Sequence, residues 1–230
     1  MRTLIIISHP AITESHTQQF LKESQPETGV TWHHLEERYP SGEISIAEEQ
    51  ALLMEHDRIV FQFPLYWYSS PPLLKHWQDT VLTEGFAYGK NGSQLAGKEF
   101  GLVIYTGVRA EEYQPGAGEG FTMAELTRPF QAMAMKCELI FLPTFLISRF
   151  DYMIETEQRK LLVDYLQYLT RDRDRSLATQ EKWFKEELLT LGKKDLSTEH
   201  QQIVDLMIEQ MEENRDDLDD LLWTLHEMKE

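Results

Sequence analysis

The chain has 230 residues and carries 39 Asp and Glu against 22 Lys and Arg, a formal net charge of −17. A protein this acidic gains nothing from the counterion release that drives nucleic-acid binding, and anionic membranes repel it. With 41% hydrophobic residues it can bury a sizeable core, yet no apolar run is long enough to span a bilayer.

The predicted elements alternate along the chain. Residues 3–8, TLIIIS, form a continuous apolar run of strand length. The apolar part is too short for a signal peptide and lacks a cleavage site, so the expected location is the cytosol. A loop and helix follow over 11–24, a short strand over 30–35 and an amphipathic helix over 44–57. RIVFQF, residues 58–63, reads as a second buried strand. A helix over 72–82 starts with Pro72 in its first turn, where proline is tolerated. EFGLVIYT, residues 99–106, is a third buried strand. A helix over 122–137 with a kink at Pro129, a fourth strand over 138–147 and a helix over 155–169 complete the pattern.

Buried strands alternating with helices predict an α/β fold, with a parallel sheet covered on both faces. Beyond residue 170 the chain becomes strongly charged and only helical periodicity remains. Two units are therefore expected, 1–170 and an acidic helical extension over 171–230, with a boundary near TRDRDRS. Helices are predicted over 178–191, 198–213 and 216–227. Met207, Met211, Asn214, Leu218, Leu221, Leu225 and Met228 follow heptad spacing, with Asn214 as the polar position. That seam suits packing within the chain or against a second chain. The single cysteine, Cys137, excludes an internal disulfide and a cysteine metal cluster, and its apolar context predicts a buried, inert thiol. No metal ligand set is expected.

Ligands of such sheets bind at the carboxyl ends of the strands. Three loops follow buried strands and should meet there: SHPAITESHT, FPLYWYSSPP and TGVRAEEYQPGAGEGF. In the first, His9, Ser15, Thr17 and Gln18 lead into a helix, where hydroxyls and free amides suit a phosphate. The second stiffens an aromatic run, Tyr66, Trp67 and Tyr68, between prolines. Such a loop fits the edge and plane of an isoalloxazine ring. The third offers Tyr105, Thr106 and Gly107 for close backbone approach, and Tyr113 to cover a ring or donate to a substrate. Each loop also has a plainer reading, as helix cap, core packing or surface loop.

Residues 61–89, FQFPLYWYSSPPLLKHWQDTVLTEGFAYG, resemble the hallmark segment of the flavodoxin-like NAD(P)H:quinone oxidoreductases, the DT-diaphorase group. That group includes bacterial general stress oxidoreductases and ancillary flavoproteins of potassium efflux systems. SHP with ESHTQQF is similar to its phosphate loop, YTGV to its glycine loop, and residues 128–145 to its next helix and strand. The resemblance covers about residues 1–170. It implies a flavodoxin-like three-layer sandwich, a homodimer with the site at the subunit interface, and ping-pong hydride transfer from NAD(P)H through a flavin to a quinone. The flavin is expected to be FMN, with FAD the alternative. By position, His9, Ser15, Thr17 and Gln18 hold the flavin phosphate. Pro64, Leu65, Tyr66, Trp67 and Tyr68 line the isoalloxazine, Tyr105, Thr106 and Gly107 meet its pyrimidine side, and Tyr113 faces the substrate. Where some members carry a relay histidine, this chain offers Gly118 or Glu119, and Val108 replaces a glycine. Glu119 is the candidate at the relay position. The alternative is a regulatory role, in which the chain binds flavin and the tail docks on a transporter.

Overall fold

The computed structural model describes residues 1–26, 29–90, 92–174, 176–194 and 196–228. Contacts divide the chain into Met1–Thr170 and Arg171–Glu230. Arg175, in the stretch expected to separate them, lies outside the described residues.

The first unit holds a parallel sheet. Its strands are β1 (Thr3–Ile7), β2 (Val30–His34), β3 (Arg58–Pro64), β4 (Glu99–Thr106), β5 (Ile140–Phe141) and β6 (Phe145–Ser148). The order is β2-β1-β3-β4-β5, and β6 also pairs with β4. β5 meets the start of β4 and β6 its end. The expected fourth strand over 138–147 is thus one strand in two pieces. Pro143 sits in the interruption, where a residue without an N–H cannot serve a ladder.

Helices α1 (His16–Glu23), α2 (Leu35–Arg38), α3 (Ile46–Glu55), α4 (Pro72–Val81), α5 (Met123–Leu126), α6 (Arg128–Lys136) and α7 (Glu155–Thr170) complete this unit. The expected 122–137 helix is α5 and α6, separated at Thr127 just ahead of Pro129. α5 starts with a full capping box between Thr122 and Glu125.

Side-chain alternation along the strands sorts the core into two layers. Leu4, Ile6, Ile59, Phe61, Phe63, Leu102 and Ile104 share one cluster with Leu53 of α3, Trp77 of α4 and Phe130 of α6. Ile5, Ile7, Val60, Val103 and Tyr105 point the other way, to Leu21 of α1 and Leu161 and Tyr165 of α7. Cys137 is 3% exposed, and burial pushes its thiol up, as an inert packing residue requires. The strand order reverses between β1 and β3, which sets a crevice at their carboxyl ends.

The second unit holds α8 (Leu177–Leu191) and α9 (Thr198–Glu227), packed together as a hairpin. The expected break near residue 214 is absent. Neither Gly nor Pro occurs between 198 and 227, so nothing stops the helix. Nor is the expected seam the packed one. Val204 is buried and Gln201, Ile208, Met211, Arg215 and Leu218 are half-buried, whereas Met207 and Asn214 are exposed. Arg215, not Asn214, is the polar residue between Met211 and Leu218 on that face, and it pairs with Glu181 of α8. No described helix is long and apolar enough to cross a membrane.

Candidate active site

The loops after β1, β3 and β4 meet above the crevice. A cleft of about 250 Å³ is lined by His9, Ser15, Thr17, Pro64, Leu65, Tyr66, Tyr105, Thr106 and Gly107. Nine of the residues expected from sequence therefore share one wall system.

Each loop is held by identifiable bonds. His9 is 7% exposed. Its N–H donates to Glu36 Oε2 at 3.0 Å, and Ser8 Oγ donates to Glu36 Oε1 at 2.6 Å. The Ala11 N–H donates to His9 Nδ1 at 3.0 Å. This bond assigns the ring proton to Nε2, which leaves that atom as a donor. Ser15 caps α1 by accepting from the Gln18 N–H at 3.3 Å. The remaining free amides of that first turn suit an anion.

Glu36 makes a small charged cluster with His34, whose Nε2 lies 3.2 Å from Glu36 Oε2. Burial acts to lower the His34 imidazole, but Glu36 and the His9 carbonyl outweigh it and raise its pKa. Burial acts to raise Glu36, but bonds from His34, Ser8 and the His9 N–H leave it lowered. His9 is lowered, because burial exceeds the opposing pull of Glu36.

The second loop is a tight reversal. Tyr66 and Ser69 exchange both backbone hydrogen bonds at 3.0 Å. Between them Trp67 and Tyr68 take φ of 47° and 62°. Two successive positive φ values belong to the turn that normally selects Asn-Gly. Large aromatic residues there cost about 1–2 kcal/mol each. Trp67 is 93% exposed and stands outside the cleft lining. Among the described residues, the N–H groups of Trp67, Tyr68 and Gly107 serve no backbone hydrogen bond.

The third loop folds back on the other two. The Tyr113 hydroxyl lies 2.9 Å from Thr106 Oγ1 and the ring is buried. Tyr113 is therefore behind Thr106 rather than on the cleft surface. The nearby Glu119 carboxylate raises the pKa of the Tyr68 hydroxyl. Gly118 approaches Glu112, which accepts its N–H at 3.0 Å.

Gln18 also lies outside the lining. It is 1% exposed, and its Oε1 accepts from Gln62 Nε2 at 2.8 Å. Tyr165 in turn donates to Gln62 Oε1 at 2.8 Å. Gln18 Nε2 adjoins the Tyr105 hydroxyl, yet neither buried atom has a hydrogen-bond partner of proper geometry among the described residues.

Sequence reading missed one wall of the cleft, formed by Ile147, Arg149, Phe150, Asp151 and Tyr152. Arg149 takes φ 51° at the end of β6, and its guanidinium lies 4.1 Å from the Tyr152 ring centroid. Among the described residues it forms no ion pair with a carboxylate. The only signal in the sequence was a polar stretch, SRFDY, after an apolar strand.

A doubly wound parallel sheet with a capped helix start and an aromatic loop meeting at its switch point defines a flavodoxin-type domain. The chain belongs to the flavodoxin-like fold family, whose model matches residues 1–169. It is 43% identical over 173 residues to the uncharacterized NAD(P)H oxidoreductase YrkL of Bacillus subtilis, covering 72% of this chain and 98% of that one. It is 42% identical over 147 residues to the glutathione-regulated potassium-efflux system ancillary protein KefG of Cronobacter sakazakii, covering 64% of this chain and 80% of that one. Among solved structures, an NADPH-quinone reductase from P. pentosaceus matches with a TM-score of 0.69 at 45% identity, covering 74% of this chain and 98% of that one. The general stress protein 14 of Treponema denticola, in complex with FMN, matches with a TM-score of 0.67 at 36% identity, covering 73% of this chain and 97% of that one.

Proposed function

We propose that the chain is an FMN-dependent NAD(P)H oxidoreductase that reduces quinones or similar acceptors. The observation that carries this reading is the convergence of the three loops on one cleft, whose lining combines a capped helix start with aromatic side chains. The names of the relatives, and FMN in the Treponema protein, support it.

The residues present fit a flavin mononucleotide. The start of α1, with Ser15, Thr17 and the His9 Nε2 donor, would hold the phosphate. Pro64, Leu65 and Tyr66 would flank the ring. The unpaired amides of Gly107 and of the Trp67–Tyr68 turn would meet its polar edge, and the orphaned Tyr105 hydroxyl offers a further polar contact. Bound there, the flavin supplies the hydride chemistry, taking a hydride from NAD(P)H and giving it to the acceptor.

The chain's own part is positional and electrostatic. The Gly107 N–H, free of a backbone partner in a residue that lines the cleft, would favour negative charge as it develops there. Arg149, in the cleft lining, would supply a cation for an anionic group bound there. The Thr106–Tyr113 hydroxyl pair holds a proton at the cleft wall, so Tyr113 acts through Thr106. Glu119, at the expected relay position, would act on the site through the neighbouring Tyr68 hydroxyl. The exposed Trp67 indole next to the cleft would offer a flat surface to an aromatic acceptor.

Steady-state oxidation of NADPH and of NADH with a small quinone tests the proposal. Parallel double-reciprocal lines would support a ping-pong enzyme. Absence of turnover with FMN-loaded protein would reject it. A second reading, as an ancillary subunit of a potassium efflux system, draws on the KefG relative. It predicts partner activation by a Tyr113→Phe variant that has lost quinone reduction.

A further inference from the structure

Three polar side chains stand in the apolar layer that joins the sheet to α1 and α7. Gln62 and Tyr165 are 0% exposed and Gln18 is 1% exposed. The rest of the layer includes Ile7, Val60, Val103, Leu21 and Leu161. Polar groups so placed cost stability unless they are bonded, and apolar residues of the same shape would pack there without that cost. The three side chains are bonded to one another, and the bonds carry a direction.

The Tyr165 hydroxyl donates to Gln62 Oε1, and Gln62 Nε2 donates to Gln18 Oε1, both at 2.8 Å. An amide side chain has one accepting end and one donating end. With its oxygen taken by Tyr165, Gln62 turns its nitrogen to Gln18. Gln18 answers with its oxygen, which leaves Gln18 Nε2 beside the Tyr105 hydroxyl. The Tyr105 ring in turn stacks on His9 and lines the cleft.

Gln18 is the third residue of α1. Its N–H donates to the Ser15 cap at 3.3 Å while its side chain is bonded to Gln62. The Gln62 carbonyl also accepts the Ser8 N–H at 3.1 Å. One residue of β3 thus holds the start of the loop after β1 by its backbone and the first turn of α1 by its side chain. Ser15 and Thr17 at that turn line the cleft, whereas Gln62 stands behind it.

We infer that Gln62, oriented by Tyr165, is a positioning residue: through Gln18 it sets the first turn of α1 and the Tyr105 side chain, and so the placement of a phosphate bound in the cleft. The inference rests on the flavin reading of the cleft and extends it to residues buried behind the cleft wall.

The test titrates the full-length protein with FMN by fluorescence quenching and records the phosphate of bound FMN by phosphorus NMR. Gln62→Met keeps the volume and removes both side-chain bonds. Tyr165→Phe removes only the outer bond and is the milder change. Val60→Ala, in the same layer two residues earlier on β3, is the control for plain loosening of the core. Gln62→Met should bind FMN about tenfold more weakly, the equivalent of one bond to a charged group. Its phosphorus resonance should move towards that of free FMN. Tyr165→Phe should move both readouts in the same direction by less, and it decides the matter if Gln62→Met does not fold. Val60→Ala should lower the urea midpoint and leave the resonance in place. Wild-type affinity and resonance in the chain variants would overturn the inference and leave the flavin reading intact. So would weaker binding without a resonance change, or the same resonance change in Val60→Ala. A wild-type protein that binds no FMN would reject the flavin reading, and the inference with it.

Discussion

His9 and Tyr105 lie face to face, their ring centroids 5.9 Å apart and their planes within 5°. One residue follows β1 and the other lies at the end of β4, so the stack ties the loop after β1 to the end of β4. Burial raises the Tyr105 pKa, and the hydroxyl remains a neutral buried group without a partner of proper geometry. Tyr105→Phe keeps the stack and removes the orphan, so stability should stay level or rise by about 1 kcal/mol. Tyr105→Ala loses the ring as well, and a cavity term then costs about 3 kcal/mol or more. FMN titration by fluorescence quenching should show weaker binding in Ala than in Phe, and urea denaturation reports the stabilities.

Glu36 anchors the loop after β1. Replacing it with Ala strands the Ser8 hydroxyl and the His9 N–H, a loss of about 1–3 kcal/mol. The Glu36→Ala protein should melt at lower temperature and hold FMN less tightly, with free phosphate competing less well. A variant with unchanged FMN affinity would remove Glu36 from the account.

The same cluster sets a pH dependence. The His34 pKa is raised above 6.5, so its contribution is full below that pH and is lost as pH rises through the folded value. His9 is lowered below 6.5, so its contribution is present above that pH and is lost as pH falls through its folded value. Glu36, lowered from 4.5, loses its contribution only in more acid solution. Stability should therefore be greatest near pH 6.5 in the part governed by these groups, with losses on both sides. Glu36→Gln should flatten the alkaline limb, and denaturant midpoints between about pH 5 and pH 8 measure it.

The Trp67–Tyr68 turn holds strain that a different pair would release. Trp67→Asn with Tyr68→Gly matches the two positive φ values and should stabilise the protein by about 1–2 kcal/mol. The same change removes the exposed indole and the Tyr68 contact to Glu119, so quinone turnover should fall. Thermal melts and kinetics on one sample show whether stability and activity move in opposite directions.

Gly101 has a different purpose. A Cβ there would stand 2.3 Å from the Tyr168 hydroxyl. That hydroxyl accepts the Leu102 N–H at 3.0 Å and ties α7 to β4. Gly101→Ala should cost about 1–3 kcal/mol by overpacking, seen as a shifted urea midpoint with an unchanged slope.

The alternation of apolar strands made the sheet and its three ligand loops legible, because both faces are buried and the runs are continuous. His9 and Tyr66 reach one cleft because each follows such a strand, and Tyr105 because it stands at the end of one. Other features are set by contacts that no local pattern encodes. Arg149 owes its place to the end of an interrupted strand, and Tyr113 turns behind Thr106 through a single hydroxyl pair. Gln18 is drawn inward by Gln62 and Tyr165, far away in the chain. In the tail, two readings of the heptad differ by one residue. The ion pair of Arg215 with Glu181 decides between them, and sequence spacing alone does not reveal it.

The central claim is that the cleft holds a redox-active flavin. The most direct measurement is the visible spectrum of the protein loaded with FMN and freed of excess, followed by anaerobic addition of NADPH and then a quinone. The account predicts a flavin spectrum that bleaches with NADPH and returns with the quinone, and that is weakened in Tyr105→Ala. A protein that retains no flavin, or a bound flavin that NADPH leaves oxidised, would contradict it.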